Sequence, residues 1–173
     1  MTLYERFVRD VTFPLISIRE GMPGIQKHLV QFERQQYLPL WRLKEIQWEK
    51  VKSILHYAYE NTLFYKNRFD EHGIKPSDIK DYTDMTKIPI MTKEDIRDNL
   101  EKMISLKYNT RTLMPSRSGG TTGVNIMLFY SRDSLPVKKA ATYRAEKWTG
   151  WDLGQKVVYL WPAMQDCESI QKL

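Results

Sequence analysis

The 173-residue chain has one cysteine, Cys167, so no intrachain disulfide can form and no cluster of thiolates can hold a metal. That poverty fits a reducing, cytoplasmic setting. It also lacks any run approaching the ~18 to 20 apolar residues of a membrane span, and the charges of Tyr4-Glu5-Arg6-Phe7-Val8-Arg9-Asp10 interrupt any leader-like core. His28, His56 and His72 are the only histidines and fall in no HxH or HxxxH pattern, which removes the usual imidazole metal site. Blocks of like charge are missing too. The formal net charge is +6, but Lys and Arg alternate with acids, as in Lys44-Glu45, Glu49-Lys50 and Lys93-Glu94-Asp95, so the surface reads as solvated rather than as a nucleic-acid footprint. No repeat or low-complexity tract occurs. The chain does have apolar matter, at 42% with five tryptophans, enough for one core.

The organisation reads as a helical front followed by the start of a sheet. Leu3, Phe7, Val8, Val11 and Phe13 recur on a partly helical period beside Arg6 and Arg9; such a stripe fits a helix docking on its own domain or resting on a membrane surface. Gly21-Met22-Pro23-Gly24 reads as a loop. A long helix is predicted over 40–61, with Trp48, Val51, Leu55 and Ala58 on its buried face, and a second near 65–71 stopped by His72-Gly73. Pro76-Ser77-Asp78 opens a short turn or helix. Thr92, with Asp95 three residues on, predicts a capped helix over about 93–100, with Met91 packing on Ile96. Later, Asp133 or Ser134 caps a helix over 137–148 that tolerates Pro136 in its first turn, and Val157-Val158-Tyr159-Leu160-Trp161 reads as a buried parallel strand. The aromatic crowd Tyr57, Tyr59, Phe64, Tyr65 and Phe69, though interleaved with Lys66 and Arg68 as a base-stacking surface would be, is better explained as packing between two helices.

The chemistry concentrates in Ser116-Arg117-Ser118-Gly119-Gly120-Thr121-Thr122-Gly123. Glycine admits backbone conformations that bring N–H groups close to a ligand, and the hydroxyls of Ser118, Thr121 and Thr122 add short donors suited to phosphate oxygens. Arg111-Thr112-Leu113-Met114 and Asn125-Ile126-Met127-Leu128-Phe129-Tyr130 read as flanking strands, which makes the loop the turn of a hairpin. A Walker A loop is excluded, because it ends in Gly-Lys-Ser/Thr and opens a helix, whereas Gly123 is followed by Val124-Asn125; the dinucleotide fingerprint fails for want of a helix too. Composition alone leaves an ordinary flexible hairpin loop equally open.

The loop resembles the glycine/threonine-rich ATP-phosphate loop of the adenylate-forming enzymes, the acyl-CoA synthetases and their relatives. The segments ahead of it narrow the resemblance. Lys52-Ser53-Ile54-Leu55-His56-Tyr57-Ala58-Tyr59-Glu60-Asn61-Thr62-Leu63-Phe64-Tyr65, then Phe69-Asp70-Glu71-His72-Gly73-Ile74, then Ile88-Pro89-Ile90-Met91-Thr92-Lys93-Glu94-Asp95-Ile96-Arg97, are similar in kind and order to the phenylacetate-CoA ligase-like branch. Two glycines ahead of the paired threonines are similar to the subgroup associated with capsular polysaccharide biosynthesis. The resemblance runs from roughly residue 31 to 161.

It implies an α/β fold: a helical N-terminal region followed by the first strands and helix of an acyl-CoA-synthetase-like large domain, with residues 1–39 as an extension and 40–173 as an incomplete large domain. It further implies ATP-dependent activation of a small-molecule carboxylate as its acyl-adenylate, with Mg²⁺, then transfer to coenzyme A or another acceptor. Ser118, Gly119, Gly120, Thr121, Thr122 and Gly123 would hold the β- and γ-phosphates. Val124-Asn125 stand where that family continues with Lys or Glu and then Pro, so a point charge is missing, which weakens ATP binding or leaves the charge to Mg²⁺ and Arg117. The chain has less than half the length usual for such enzymes and lacks their adenine and ribose motifs and lysine-bearing C-terminal domain. It is therefore expected to be the front of a ligase, inactive alone and partnered by the rest of the same protein, with a homodimer as a further option. A noncatalytic nucleotide- or phosphate-binding module derived from the same fold is the alternative.

Overall fold

The computed structural model describes residues 1–117 and 126–158. Its first element begins with a reciprocal cap: the Thr2 hydroxyl accepts from Glu5 N–H at 3.2 Å, and the Glu5 carboxylate accepts from Thr2 N–H at 2.6 Å. Helix α1 (Leu3–Phe7) runs through a π-helical segment (Val8–Thr12) into α2 (Phe13–Arg19). The widened turn falls just ahead of Pro14, which cannot donate the next helical hydrogen bond, so the ladder is already loosened where the proline enters. Gly21 and Gly24, both at positive φ, turn the chain into α3 (Ile25–Gln35).

α3 packs on α8 (Leu135–Lys147), far away in sequence. Ile25 and Leu29 from one helix meet Ala140 from the other, with Leu153 completing a buried core bordered by Phe13, Met22, Phe32, Tyr143 and Trp151. Ala140 has no exposed surface, so the helices meet over a methyl group. The Tyr143 ring stands edge-on to Phe13 at 5.6 Å and tilts against Trp151 at 5.8 Å. Lys147 ties the edge of this core by bridging Glu33 and, at 3.0 Å, Asp152.

α4 (Leu40–Asn61) has the predicted bounds. Trp48, Val51, Leu55 and Ala58 do lie inward, but each is half-buried, and only Asn61 of the helix is fully buried. Thr62 caps α5 (Leu63–Glu71), which starts two residues ahead of the predicted place and stops at Gly73 with φ +64°. Two 3₁₀ turns, Pro76–Asp78 and Thr83–Lys87, lead to α6 (Lys93–Asp98), α7 (Leu100–Met103), and the antiparallel strands β1 (Met114–Arg117) and β2 (Met127–Tyr130). The architecture of the described residues is mostly helical with one small sheet, compatible with an α/β class.

Several expectations need correction. The first strand does not cover 111–114: Thr110–Thr112 form a 3₁₀ turn, because the Asn109 side chain accepts from Arg111 N–H at 3.0 Å and the Thr112 hydroxyl donates to Asn109 O at 2.7 Å. Such local side-chain bonds compete with a strand ladder. The strand begins at Met114 and takes in Ser116 and Arg117, which read as loop. The capped helix stops at Asp98, where the Asn99 side chain donates to Asp95 O at 3.0 Å, and α7 begins separately at Leu100. Ser134 makes no cap for α8; its hydroxyl donates instead to Ser131 O at 2.7 Å, closing a 3₁₀ turn over Arg132–Ser134. Val157 and Val158 are exposed and in no strand, and the remainder of that predicted strand, residues 159–161, lies outside the described residues.

Candidate nucleotide site

The six residues expected to hold phosphate, Ser118, Gly119, Gly120, Thr121, Thr122 and Gly123, lie outside the described residues, as do Val124 and Asn125. Their two ends are described. Met114 pairs with Tyr130, Pro115 with Phe129, Ser116 with Leu128 and Arg117 with Met127. Opposed residues of an antiparallel pair have Cα atoms roughly 4.5 to 5.5 Å apart, so the chain leaves β1 and re-enters β2 at nearly the same point. That is the hairpin the sequence predicted, shifted toward the loop, with exposed Arg117 as its last residue before the loop. Pro115 is tolerated because, among the described residues, β1 pairs on one side only.

The motif segments that carry the family resemblance build the ground behind this hairpin. At the α4–α5 corner, buried Asn61 donates from its side chain to Tyr57 O at 2.8 Å, while its own carbonyl accepts from Leu106 N–H at 2.7 Å. Thr62, also buried, donates to Ala58 O at 2.8 Å and accepts from Tyr65 N–H at 3.3 Å. One corner therefore fixes two helices and the segment that leads to β1. Thr92 and Asp95 form the predicted capping box, at 3.1 and 2.9 Å. The bond from Thr92 N–H to the Asp95 carboxylate leads in holding that carboxyl below its ordinary range, and the Thr92 side chain and Arg68, at 3.5 Å, add to it. The Arg68 guanidinium also donates to Ile90 O, tying α5 to the segment that leads into α6. Lys75 and the Tyr59 hydroxyl together lower the Asp70 carboxyl, and Lys75 is raised in turn.

Between these elements and β2 lies an apolar groove of about 560 Å³, with Leu55, Tyr57 and Ala58 on one wall, Ile96, Leu100 and Met103 on another, and Leu128, Phe129 and Tyr130 on a third. Its polar points are few. The Tyr57 and Ser105 hydroxyls meet at 2.7 Å, and the Tyr65 hydroxyl, raised in pKa by burial, donates to Met91 Sδ at 3.7 Å. The aromatic crowd thus divides: Phe64 and Phe69 are buried, as predicted, Phe69 lining the groove together with Tyr57 and Tyr65, and Tyr59 turns to Asp70 and Lys75. Sequence reasoning missed the groove because only its α4 wall comes from an element long enough to show a period, the other walls being short and separate; the run of apolar residues at Ile88, Met91, Ile96, Leu100, Met103 and Ile104 was the available signal. Lys138 stands 4.2 Å over the Tyr130 ring, steadying the far end of β2.

Among the described residues no group of three His, Cys, Asp or Glu side chains converges as a metal site, and no helix is long and apolar enough to cross a membrane. The segment Trp161-Pro162-Ala163-Met164-Gln165-Asp166 and Cys167 lie outside the described residues.

Comparison with known proteins places these features. No protein-family profile matches the chain. It is similar to phenylacetate-coenzyme A ligase of Escherichia coli, 31% identical over 93 residues, which cover 54% of this chain and 21% of the ligase. The ligase of Thermus thermophilus is 30% identical over 100 residues, 58% of this chain and 22% of that protein. Protein CapK of Staphylococcus aureus is 26% identical over 118 residues, 68% of this chain and 22% of CapK. The matched part spans between about a fifth and a quarter of the length of these curated relatives.

Proposed function

We propose, from the premise that this chain belongs with the phenylacetate-coenzyme A ligase-like proteins, that it forms the phosphate-binding front of an adenylate-forming ligase. One observation carries the reading: in a chain related to such ligases, β1 and β2 bring together the two ends of the segment that holds Ser118, Gly119, Gly120, Thr121, Thr122 and Gly123. A glycine-rich turn clamped by paired strands offers backbone N–H groups and hydroxyls to polyphosphate with little freedom left to lose.

In the reaction so proposed, a carboxylate oxygen attacks the α-phosphorus of ATP, the bond to the bridging oxygen breaks, and pyrophosphate leaves with its electron pair. The loop stabilises the negative charge that gathers on the departing phosphates. Coenzyme A thiolate then attacks the acyl-adenylate carbonyl and AMP departs. Mg²⁺ would enter as the counter-ion of the nucleotide. The similarity to CapK supports the narrower placement in the subgroup associated with capsular polysaccharide biosynthesis.

Val124-Asn125, in place of Lys or Glu and Pro, favour a second reading, a nucleotide-binding module without turnover. Two measurements on the protein that carries this chain separate the readings. Pyrophosphate release with a panel of carboxylic acids tests catalysis; ATP binding without release by any acid leaves the module. Thr121→Val combined with Thr122→Val removes two donors to a charged acceptor, worth roughly 1.5 to 3 kcal/mol each at the upper end, and should weaken ATP at least about tenfold by calorimetry. Unchanged affinity refutes the phosphate role of the loop and both readings with it.

A further inference from the structure

Among the described residues the N-terminal helix is held to the body by one face only. Gln26 Nε2 donates to Arg9 O at 2.7 Å, Ser17 is buried, Phe13 packs on Tyr143, and the Gly154 backbone lies against the Glu5 carbonyl. The opposite face carries Leu3, Phe7, Val11, Leu15 and Ile18, at steps of four, four, four and three, and these are 86, 58, 42, 63 and 62% exposed. The stripe predicted from the sequence therefore divides: Phe13 docks on its own domain and Val8 is half-buried, while Leu3, Phe7 and Val11, joined by Leu15 and Ile18, point away from the described residues. That exposed stripe is about 22 Å long at 1.5 Å per residue.

We propose that this stripe pairs with the same stripe of a second copy of the chain, antiparallel, about a two-fold axis near Arg9. That register sets Leu3 opposite Leu15 of the second copy and Phe7 opposite its Val11, so four large apolar residues from each copy meet along one seam. It is also complementary in charge. Arg6 and Asp10 are four residues apart and so share one flank of the helix. An antiparallel two-fold pair brings like flanks together, which puts Arg6 about one 3 Å step along the axis from Asp10 of the other copy, and the reverse. Among the described residues Asp10 bonds to the neighbouring Arg9, at 2.7 and 2.9 Å, and is exposed. A lipid surface is the weaker occupant: over residues 1–20 Arg6, Arg9 and Arg19 are balanced by Glu5, Asp10 and Glu20, leaving no cationic excess for anionic headgroups.

Sedimentation velocity of the chain across a concentration series is the test, with far-ultraviolet circular dichroism to check that each variant folds. A reversible dimer is expected. Phe7→Ser with Leu15→Ser should raise its dissociation constant at least about tenfold, since each dimer loses four apolar contacts. Arg6→Glu and Asp10→Arg should each weaken the dimer, and the two together should restore it, a recovery that a merely structural role would not give. A wild-type monomer at all concentrations, or a dimer indifferent to all four variants, overturns the proposal. So does flotation of a monomeric wild type with phosphatidylcholine–phosphatidylglycerol vesicles that is lost in Phe7→Ser with Leu15→Ser, which assigns the stripe to lipid.

Discussion

Replacing Gly154 by alanine tests how the N-terminal helix is held. Gly154 has φ +96°, and a Cβ built on it would lie 2.2 Å from the Glu5 carbonyl oxygen and 3.0 Å from its carbon. Both atoms are helix backbone, so neither can swing aside. The left-handed conformation alone costs an alanine about 1 to 2 kcal/mol. Relieving a contact more than 1 Å inside van der Waals distance requires α1 to shift away, adding on the order of 1 to 3 kcal/mol by analogy with overpacked sites. Gly150 supplies the control: its φ is +90°, and nothing lies within 4 Å of the added methyl group. Gly150→Ala should therefore cost only the conformational part. In urea unfolding at neutral pH the two variants should differ by roughly 1 to 3 kcal/mol, or about 2 to 12 °C in melting temperature for a chain of this size. Equal destabilisation would refute the close approach and with it the docking of α1 on residues 150–156. Limited proteolysis near residues 1–10 should accelerate in Gly154→Ala and not in Gly150→Ala.

Other consequences follow from the packing. Thr92→Ala removes the capping-box acceptor for Asp95 N–H and should cost about 0.5 to 2 kcal/mol in the same assay; a neutral result would mean the box does not hold α6. Ala140→Leu puts three extra carbons into the fully buried α3–α8 contact and should destabilise by about 1 to 3 kcal/mol, read as a lowered urea midpoint. Asp70, Asp81, Asp84 and Asp95 are all held below the ordinary carboxylate range, so the unfolded chain binds their protons more readily than the folded one. Their contribution is complete above about pH 5, a unit above the ordinary Asp value, and is lost as pH falls through the lowered values. The urea midpoint should thus fall as pH drops below about 5 toward the lowered values, and Asp70→Asn with Asp95→Asn should flatten that fall; an unchanged slope would refute the linkage.

Much was legible where local chemistry decides. The 22-residue helix α4 has a strong period and no competing break until Asn61, so its bounds were readable. Thr92 with Asp95, and His72-Gly73, are signals that act within a few residues, and they acted as read. The hairpin was readable in kind but not in register, because Asn109 and Thr112 captured backbone groups that a propensity count assigns to a strand. For the proposed phosphate loop, sequence remains the source: the strands show how its ends meet, and the chemistry proposed for Ser118 to Gly123 rests on their residue types and on the relatives.

The sequence by itself determined helix α4, the Thr92 cap and the His72-Gly73 stop, and that a strand stands on either side of Ser118 to Gly123, since each depends on residues within one or two turns of one another. Tertiary structure decided the rest. Nothing local says that Ile25 will meet Ala140, that short elements will enclose a groove beside β2, or which face of the first helix will be left outside. An amphipathic period specifies that a face is apolar; only the placing of Gly154 and Gln26 against the other side specifies that this one remains exposed.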